Sequence, residues 1–219
     1  MAIETPSAAL RARLLDAMMH EAARLGWTGA AVAAAARAAG LSEAEAHLAA
    51  PGGAVELLEA FAAWADDRMV EGLARLDLPR MKIREKVTAA IRLRLEAAEP
   101  FKHAARRGAR LLAVRRMAPL AARLGWATAD RIWRALGDVS TDGNYYSKRA
   151  ILSAVHAAVF ARWLVDASPG HADTWSFLDR RIENVMQFEK MKGRAATVGL
   201  AARLALARVA RWRYGDGAA

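Results

Sequence analysis

The side chains that could take part in chemistry are crowded into one stretch, residues 136–150, with the sequence LGDVSTDGNYYSKRA. Its Asp, Ser and Thr side chains are typical helix caps, its two glycines break helices, and an apolar run at 150–165 follows. The pattern predicts the start of a helix that carries two adjacent tyrosines on its first turn. From the residues alone, this is an ordinary capped helix with half-buried tyrosines.

Nothing in the sequence indicates a catalytic or a metal site. Cysteine is absent, which excludes disulfides and thiolate chemistry, and the five histidines are scattered without the paired spacing of metal ligands. No activated nucleophile, paired carboxylates or metal cluster is recognisable. We therefore expect a protein that is not an enzyme and has no catalytic residues, no cofactor and no metal.

The composition indicates an all-α protein. Ala, Leu, Arg and Glu dominate, and Val, Ile and the aromatic residues never alternate as they do in strands. No stretch of about 18 uncharged apolar residues could span a bilayer, and the N-terminal residues resemble neither a secretory signal nor a good transit peptide. Heavy use of Ala, and of Arg over Lys, is typical of a GC-rich bacterial genome. We therefore expect a cytoplasmic protein that is peripheral on the bacterial inner membrane.

The net charge of +10 is unevenly distributed along the chain. Residues 1–79 hold 6 Lys and Arg against 11 Asp and Glu, whereas residues 80–134 hold 15 against 4. The cations of the amphipathic segment 80–98 indicate either a solvated helix face or attraction to an anionic membrane. The apolar residues that follow at helical spacing, up to residue 136, indicate either a core or the wall of an apolar cavity.

The N-terminal order of helices resembles the helix-turn-helix module of TetR-type regulators. An amphipathic helix at 8–25, an Ala-rich helix at 30–39 and a short helix at 43–49 are separated by glycine turns, and Ser42 and Glu45 form a predicted capping box. The short helix offers Glu43 and Glu45 where a DNA-reading helix needs basic or hydrogen-bonding side chains. We therefore predict a degenerate module that keeps its packing without binding nucleic acid. The alternative is a TetR-type ligand-responsive transcription regulator.

The C-terminal part adds three further helices. Residues 144–166 and 172–192 are long apolar helices joined by a tight turn, which is typical of an antiparallel pair and of a homodimer surface. Residues 195–214 form a basic amphipathic helix without Glu or Lys, with Trp212 and Tyr214 at its end. Such a helix suits a membrane surface, and its alternative is packing back on the body.

Three motifs carry a resemblance to a known family: WATADRIW at 126–133, GDVSTDGNYYSKRA at 137–150 and DTWSFLDRR at 173–181. Together they resemble the ninth Coq protein family of ubiquinone biosynthesis, over nearly the whole chain. The resemblance implies an all-α, TetR-like fold that does not bind DNA. It also implies an apolar pocket for isoprenoid quinone precursors or phospholipid, a role in presenting the precursor to the demethoxyubiquinone hydroxylase, and a C-terminal helix that engages membranes.

The resemblance and the patterns above assign three domains: a degenerate helix-turn-helix module at 8–53, a helical lipid-binding domain at 54–192 and an amphipathic membrane-associating helix at 195–214. The motif implies that the surface meeting the hydroxylase is formed by Asp142, Asn144, Tyr145, Tyr146, Lys148 and Arg149. Tyr145 stands where the family often has Trp. The candidate lipid-binding residues are Trp64, Met69, Ile91, Leu95, Leu112, Trp133, Leu152, Val155 and Trp163. The candidate membrane-binding residues are Leu206, Val209, Trp212, Arg203, Arg208 and Arg211.

Overall fold

The structure is a computed structural model that describes residues 6–139, 141 and 143–187. Within these residues every regular element is a helix, so the predicted all-α class is confirmed. The helices are α1 (Pro6–Leu25), α2 (Gly29–Ala38), α3 (Glu43–Ala49), α4 (Gly53–Leu73), α5 (Ile83–Ala98), α6 (Lys102–Leu112), α7 (Ala118–Ala135), α8 (Gly143–Val165) and α9 (172–187). No helix in this part of the chain has the length and apolar character needed to cross a membrane.

Local sequence signals set the ends of the first three helices. Gly26 and Gly40 follow α1 and α2 with φ values of 74° and 63°, a left-handed conformation that a residue with a side chain rarely adopts. The predicted capping box is present at the start of α3: the Ser42 hydroxyl accepts from the Glu45 amide at 3.3 Å, and the Glu45 carboxylate accepts from the Ser42 amide at 2.8 Å. These caps satisfy amide groups that a helix start otherwise leaves unpaired.

One helix end differs from the sequence-based prediction. The sequence predicts one basic helix at 101–117, before Pro119. In the structure this helix ends at Leu112, the chain becomes extended at Val114, and a 3-10 turn at Arg115–Met117 leads into α7. Pro119 lies in the first turn of α7. Proline has no N–H to donate four residues back, so it fits the first turn of a helix, where no such bond is made.

The N-terminal module packs directly on the helices that follow it. α1 contacts α2, α3 and α6, and the buried Trp27 donates from Nε1 to the Ala104 carbonyl at 2.9 Å. Gly108 allows this approach, since a Cβ there would lie 2.8 Å from Leu58 Cδ1 and 3.1 Å from Trp27 Nε1. One compact unit extends to Leu178, and a second begins at Asp179. The domain boundary predicted between residues 53 and 54 lies inside the first unit and stays a prediction.

Helices α4 to α8 form the larger part of this first unit. α4 packs against α5 and α7, α7 packs against α8, and α6 makes smaller contacts with α7 and α8. Leu57, Met69, Ile91 and Ile132 are fully buried between them. The predicted helix at 195–214 lies outside the described residues.

Candidate functional site

Three aromatic side chains meet where α8 begins, and we call Trp126, Tyr145 and Tyr146 the aromatic patch. The two tyrosine rings pack edge to face with centroids 5.1 Å apart, and the Trp126 ring from α7 lies 6.4 Å and 6.2 Å from them. Tyr146 is 64% exposed, whereas Tyr145 is half-buried. The sequence-based list of partner-binding residues contained both tyrosines but missed Trp126, although the first family motif begins at this residue.

A buried ion-pair cluster lies beneath the aromatic patch and consists of Asp130, Asp138 and Arg149. Arg149 Nε donates to Asp130 at 2.7 Å, and its Nη1 donates to Asp138 at 3.2 Å. The guanidinium group lies 3.5 Å from the centroid of the Tyr145 ring, and the Tyr145 hydroxyl donates to Asp130 at 3.3 Å. The cluster therefore joins α7, the turn after it and α8, and it fixes the orientation of Tyr145.

The structure corrects the predicted position of Arg149. The family resemblance implied that this residue lies on the surface, but its exposed fraction is 1%, and its guanidinium group pairs with Asp130 and Asp138. Lys148 pairs with Asp138 at 2.7 Å and remains partly exposed, and Asn144 is exposed. Asp142 lies outside the described residues.

Asp130 and Arg149 stay charged at neutral pH. Burial alone would raise the pKa of Asp130, but the hydrogen bond from Arg149 and the charge of Arg134 outweigh it, so the pKa is lowered. Burial likewise acts to lower the pKa of Arg149, and the hydrogen bonds to Asp130 and Asp138 raise it above its ordinary value. Both groups therefore keep the charges that the pairing needs.

A cavity of about 150 Å³ lies among α4, α5, α6, α7 and α8. The large apolar side chains of its wall are those of Leu58, Phe61, Leu112, Leu124 and Phe160, and most of the remaining wall is alanine and glycine. Ala157 lines the cavity and is exposed, so the cavity opens at the surface beside α8.

One side of the cavity is polar. Arg94 and Thr128 line it, and both donate to the buried Asp66: Arg94 Nε at 2.6 Å and the Thr128 hydroxyl at 3.1 Å. His156 also lines it with an exposed fraction of 7%. The Nε2 atom of His156 has no hydrogen-bond partner among the described residues.

Most of the predicted lipid-binding residues do not line this cavity. Only Leu112 does so. Five others are buried in the core, namely Met69, Ile91, Leu95, Leu152 and Trp163. Trp64, Trp133 and Val155 are half-buried elsewhere. Large apolar side chains fill the interior, whereas the cavity remains where small side chains face each other, as the many alanines and glycines in its wall show.

The other predicted site is the membrane-binding helix at 195–214. All six candidate membrane-binding residues, from Arg203 to Trp212, lie outside the described residues.

Comparisons with known proteins agree with the sequence motifs. The family model described as COQ9 matches residues 118–189, which contain the aromatic patch and the ion-pair cluster. The "Ubiquinone biosynthesis protein COQ9, mitochondrial" is 30% identical over 187 residues in Drosophila melanogaster, 29% over 201 in Xenopus tropicalis and 29% over 184 in Homo sapiens. These alignments cover 84%, 87% and 81% of this chain. The chain spans 57%, 62% and 58% of the length of these three relatives.

The structural comparison supports the predicted fold. A crystal structure of the TetR transcriptional regulator from Nitrosomonas europaea matches with a TM-score of 0.65, covering 80% of this chain and 97% of the other. The two sequences are 18% identical, so the likeness concerns the fold alone. The TetR-like fold predicted from the sequence is confirmed.

The predicted location is wrong as stated. The sequence led us to expect a cytoplasmic protein that is peripheral on a bacterial inner membrane. The relatives from fly, frog and human are all named mitochondrial proteins, which overturns that expectation. The heavy use of Ala, and of Arg over Lys, reflects the base content of the genome. It does not indicate the compartment in which the protein lies.

Replacing Arg149 by Met tests the ion-pair cluster. The variant leaves Asp130 and Asp138 without their buried partner, so we expect the free energy of unfolding to fall by about 3 kcal/mol at pH 7. Urea unfolding measures the change. The matched control is Arg134→Met, because Arg134 pairs with the same Asp130 at 2.6 Å but is largely exposed; it should cost less than about 1 kcal/mol. Equal losses in the two variants would contradict the role of the cluster.

The difference in the free energy of unfolding between the wild type and Arg149→Met depends on pH in a defined way. Folding lowers the pKa of Asp130. The ion pair of Asp130 therefore stabilises the folded protein fully above the pKa of the unfolded chain, which is about 4, and this stabilisation is lost as the pH falls through the lower pKa of the folded protein. The difference between the wild type and Arg149→Met should therefore shrink on acidification.

Proposed function

The chain belongs to the COQ9 family, and from this premise we propose that it is a non-catalytic, lipid-binding accessory protein of ubiquinone biosynthesis. It binds an isoprenoid quinone precursor at a membrane and presents it to the demethoxyubiquinone hydroxylase. The observation that carries the proposal is the cavity among α4 to α8, which is largely apolar and open at Ala157. Concave, mostly apolar sites with a few polar groups are typical of small-molecule binding.

The physical reason for such a protein lies in the substrate. An isoprenoid tail holds the quinone precursor in the bilayer, because each buried methylene group contributes about 0.8 kcal/mol. An enzyme outside the hydrocarbon layer cannot reach the head group unless another apolar environment replaces part of that stabilisation. A helical protein whose apolar cavity takes one part of the precursor supplies part of this replacement without any chemistry of its own.

The aromatic patch is the proposed docking surface for the hydroxylase. Exposed aromatic side chains with a polar atom are over-represented among the residues that dominate protein–protein binding. Tyr146 offers such a side chain at 64% exposure, and the ion-pair cluster holds its neighbour Tyr145 in place. Since Tyr145 contacts Arg149 and Asp130, replacing it would disturb the cluster as well as the surface.

We propose no nucleic-acid partner, in spite of the TetR-like fold. Glu43 is exposed on α3, and Glu45 is engaged in the capping box with Ser42. Carboxylates at these positions would repel DNA phosphates. A homodimer through α8 and α9 stays a prediction from the sequence.

The lipid proposal is tested by the molecules that the protein carries. We expect organic extraction and mass spectrometry of the purified full chain to recover an isoprenoid quinone precursor or a phospholipid. The variant Ala157→Trp, which narrows the cavity opening at an exposed position, should lower the recovery severalfold. Ala154→Trp is the matched control, because Ala154 is exposed on the same helix and does not line the cavity. A protein that is free of both lipids would contradict the proposal.

The docking surface is tested with Tyr146→Ala. We expect the affinity for the purified hydroxylase to fall more than tenfold, as for the loss of an aromatic anchor, while lipid content and thermal unfolding stay unchanged. Isothermal titration calorimetry gives the affinity. Val165→Ala is the matched control, since Val165 is an equally exposed apolar side chain at the other end of α8. If lipid is lost and hydroxylase binding persists, Tyr146 belongs to the lipid site instead.

The membrane role is assigned to residues 195–214, which lie outside the described part of the chain. We expect removal of residues 195–219 to abolish co-flotation with vesicles that contain anionic lipid, because an amphipathic basic helix binds by apolar burial and by charge. Circular dichroism should show nearly unchanged helix content per residue in the shortened protein. Unchanged flotation would instead assign membrane attraction to the basic segment at 80–134.

A further inference from the structure

His156 is a buried polar side chain with a ring nitrogen, Nε2, that is unpaired in the described part of the chain. It lies on α8 in the wall of the cavity, 7% exposed, with its imidazole stacked on Phe160 at a centroid distance of 6.0 Å. The Nε2 atom has no hydrogen-bond partner among the described residues. Buried polar atoms are nearly always paired, so an orphan atom in a cavity wall points to a ligand or a water that completes the pair.

The other polar groups of the cavity are already engaged. The carboxylate of Asp66 accepts from both Arg94 and Thr128, and Arg94 also donates to the Ala62 carbonyl at 3.4 Å. On this side of the cavity, the side-chain atom that is buried without a hydrogen-bond partner among the described residues is Nε2 of His156.

The volume of the cavity limits what can lie beside His156. A buried apolar cavity of about 150 Å³ holds one benzene-sized ring, and the cavity here measures about 150 Å³. A long isoprenoid chain does not fit into this space. The part of a lipid that fits is a single ring with small substituents.

We propose that the cavity binds the oxygenated aromatic ring of the ligand, with His156 Nε2 hydrogen-bonded to a hydroxyl or carbonyl oxygen of that ring. The inference rests on the proposed function, in which the ring is the head group of the quinone precursor. Beyond the proposed function, the inference specifies the part of the precursor that enters the protein and the residue that recognises this part. The isoprenoid tail then leaves through the opening at Ala157.

Electrostatics restrict the ring to an uncharged one. Burial, and then the charge of the nearby Arg94, hold the pKa of His156 well below its ordinary value, so the imidazole is neutral at pH 7. In a neutral imidazole the Nε2 atom carries either an N–H or a lone pair, so it can donate to a quinone oxygen or accept from a phenol hydroxyl. An aromatic carboxylate would be buried without a free cation, because Asp66 already neutralises Arg94.

The test compares three probes that differ in one substituent: p-cresol, toluene and p-toluate. We expect the full chain to bind p-cresol about tenfold more tightly than toluene, the ratio for one hydrogen bond of about 1.4 kcal/mol, and to bind p-toluate most weakly. In protein with ¹⁵N-labelled histidine, p-cresol should shift the Nε2 resonance of His156, and toluene should leave it nearly unchanged.

Two variants connect the preference to His156. His156→Leu should lose the tenfold preference for p-cresol while still binding toluene, and His156→Gln should keep part of it because the amide can hydrogen-bond. The resonance of the wild-type protein decides the question even if a variant fails to fold. Two results would overturn the inference: an Nε2 resonance that does not shift when p-cresol is added, or a preference for p-cresol over toluene that remains in His156→Leu. Either result would indicate that Nε2 binds a water and not the ligand.

Extraction of lipids separates this inference from the proposed function. If wild-type protein carries the quinone precursor but shows no p-cresol preference, the ring recognition is wrong and the lipid-binding role stands. If the protein carries no lipid but the His156 response to p-cresol is present, the ring site stands and the proposed lipid role is wrong.

Discussion

The pairing of Arg149 with Asp130 and Asp138 is the interaction on which the region matched by the family model depends. It joins α7, the turn that follows it and α8, and its guanidinium supports the ring of Tyr145. A buried charge is tolerated only when it is paired and hydrogen-bonded, so each of the three residues requires the others. The cluster contacts Tyr145, and the ring of Tyr145 packs edge to face against the exposed Tyr146.

In the part of the chain that the structure describes, the buried polar side chains among α4 to α8 are of two kinds: those that pair with one another and one that has an unpaired atom. Asp66, Arg94 and Thr128 satisfy one another and tie α4, α5 and α7 together. His156 shares the same cavity wall but remains unpaired at Nε2 among the described residues. A satisfied network contributes to the fold, whereas an unsatisfied neutral group lowers stability until something binds it. This contrast separates the structural part of the cavity from its binding part.

The sequence was informative where a local rule decides the structure. Glycine at positive φ and the Ser42–Glu45 capping box set helix ends within a few residues, and the motif at 137–150 identified the start of α8. The burial of Arg149 could not be predicted, because its partner Asp130 lies 19 residues away on another helix. The cavity wall was also missed. Large apolar residues were chosen as lipid ligands, but a cavity forms where alanine and glycine leave space, and spacing along one helix does not show which small residues face each other.

The uneven charge has a partly internal explanation. The acidic α4 and the basic α7 pair across their interface, with Glu59 accepting from Arg123 at 2.6 Å and Asp67 paired with Arg131. Arg94 of α5 likewise pairs with Asp66. Cations engaged in this way are already neutralised by neighbours at a few ångströms, and they attract a membrane surface less than their number implies. The excess of Lys and Arg in residues 80–134 is therefore weaker support for membrane binding than the sequence alone indicated, and the proposed membrane role falls more heavily on residues 195–214.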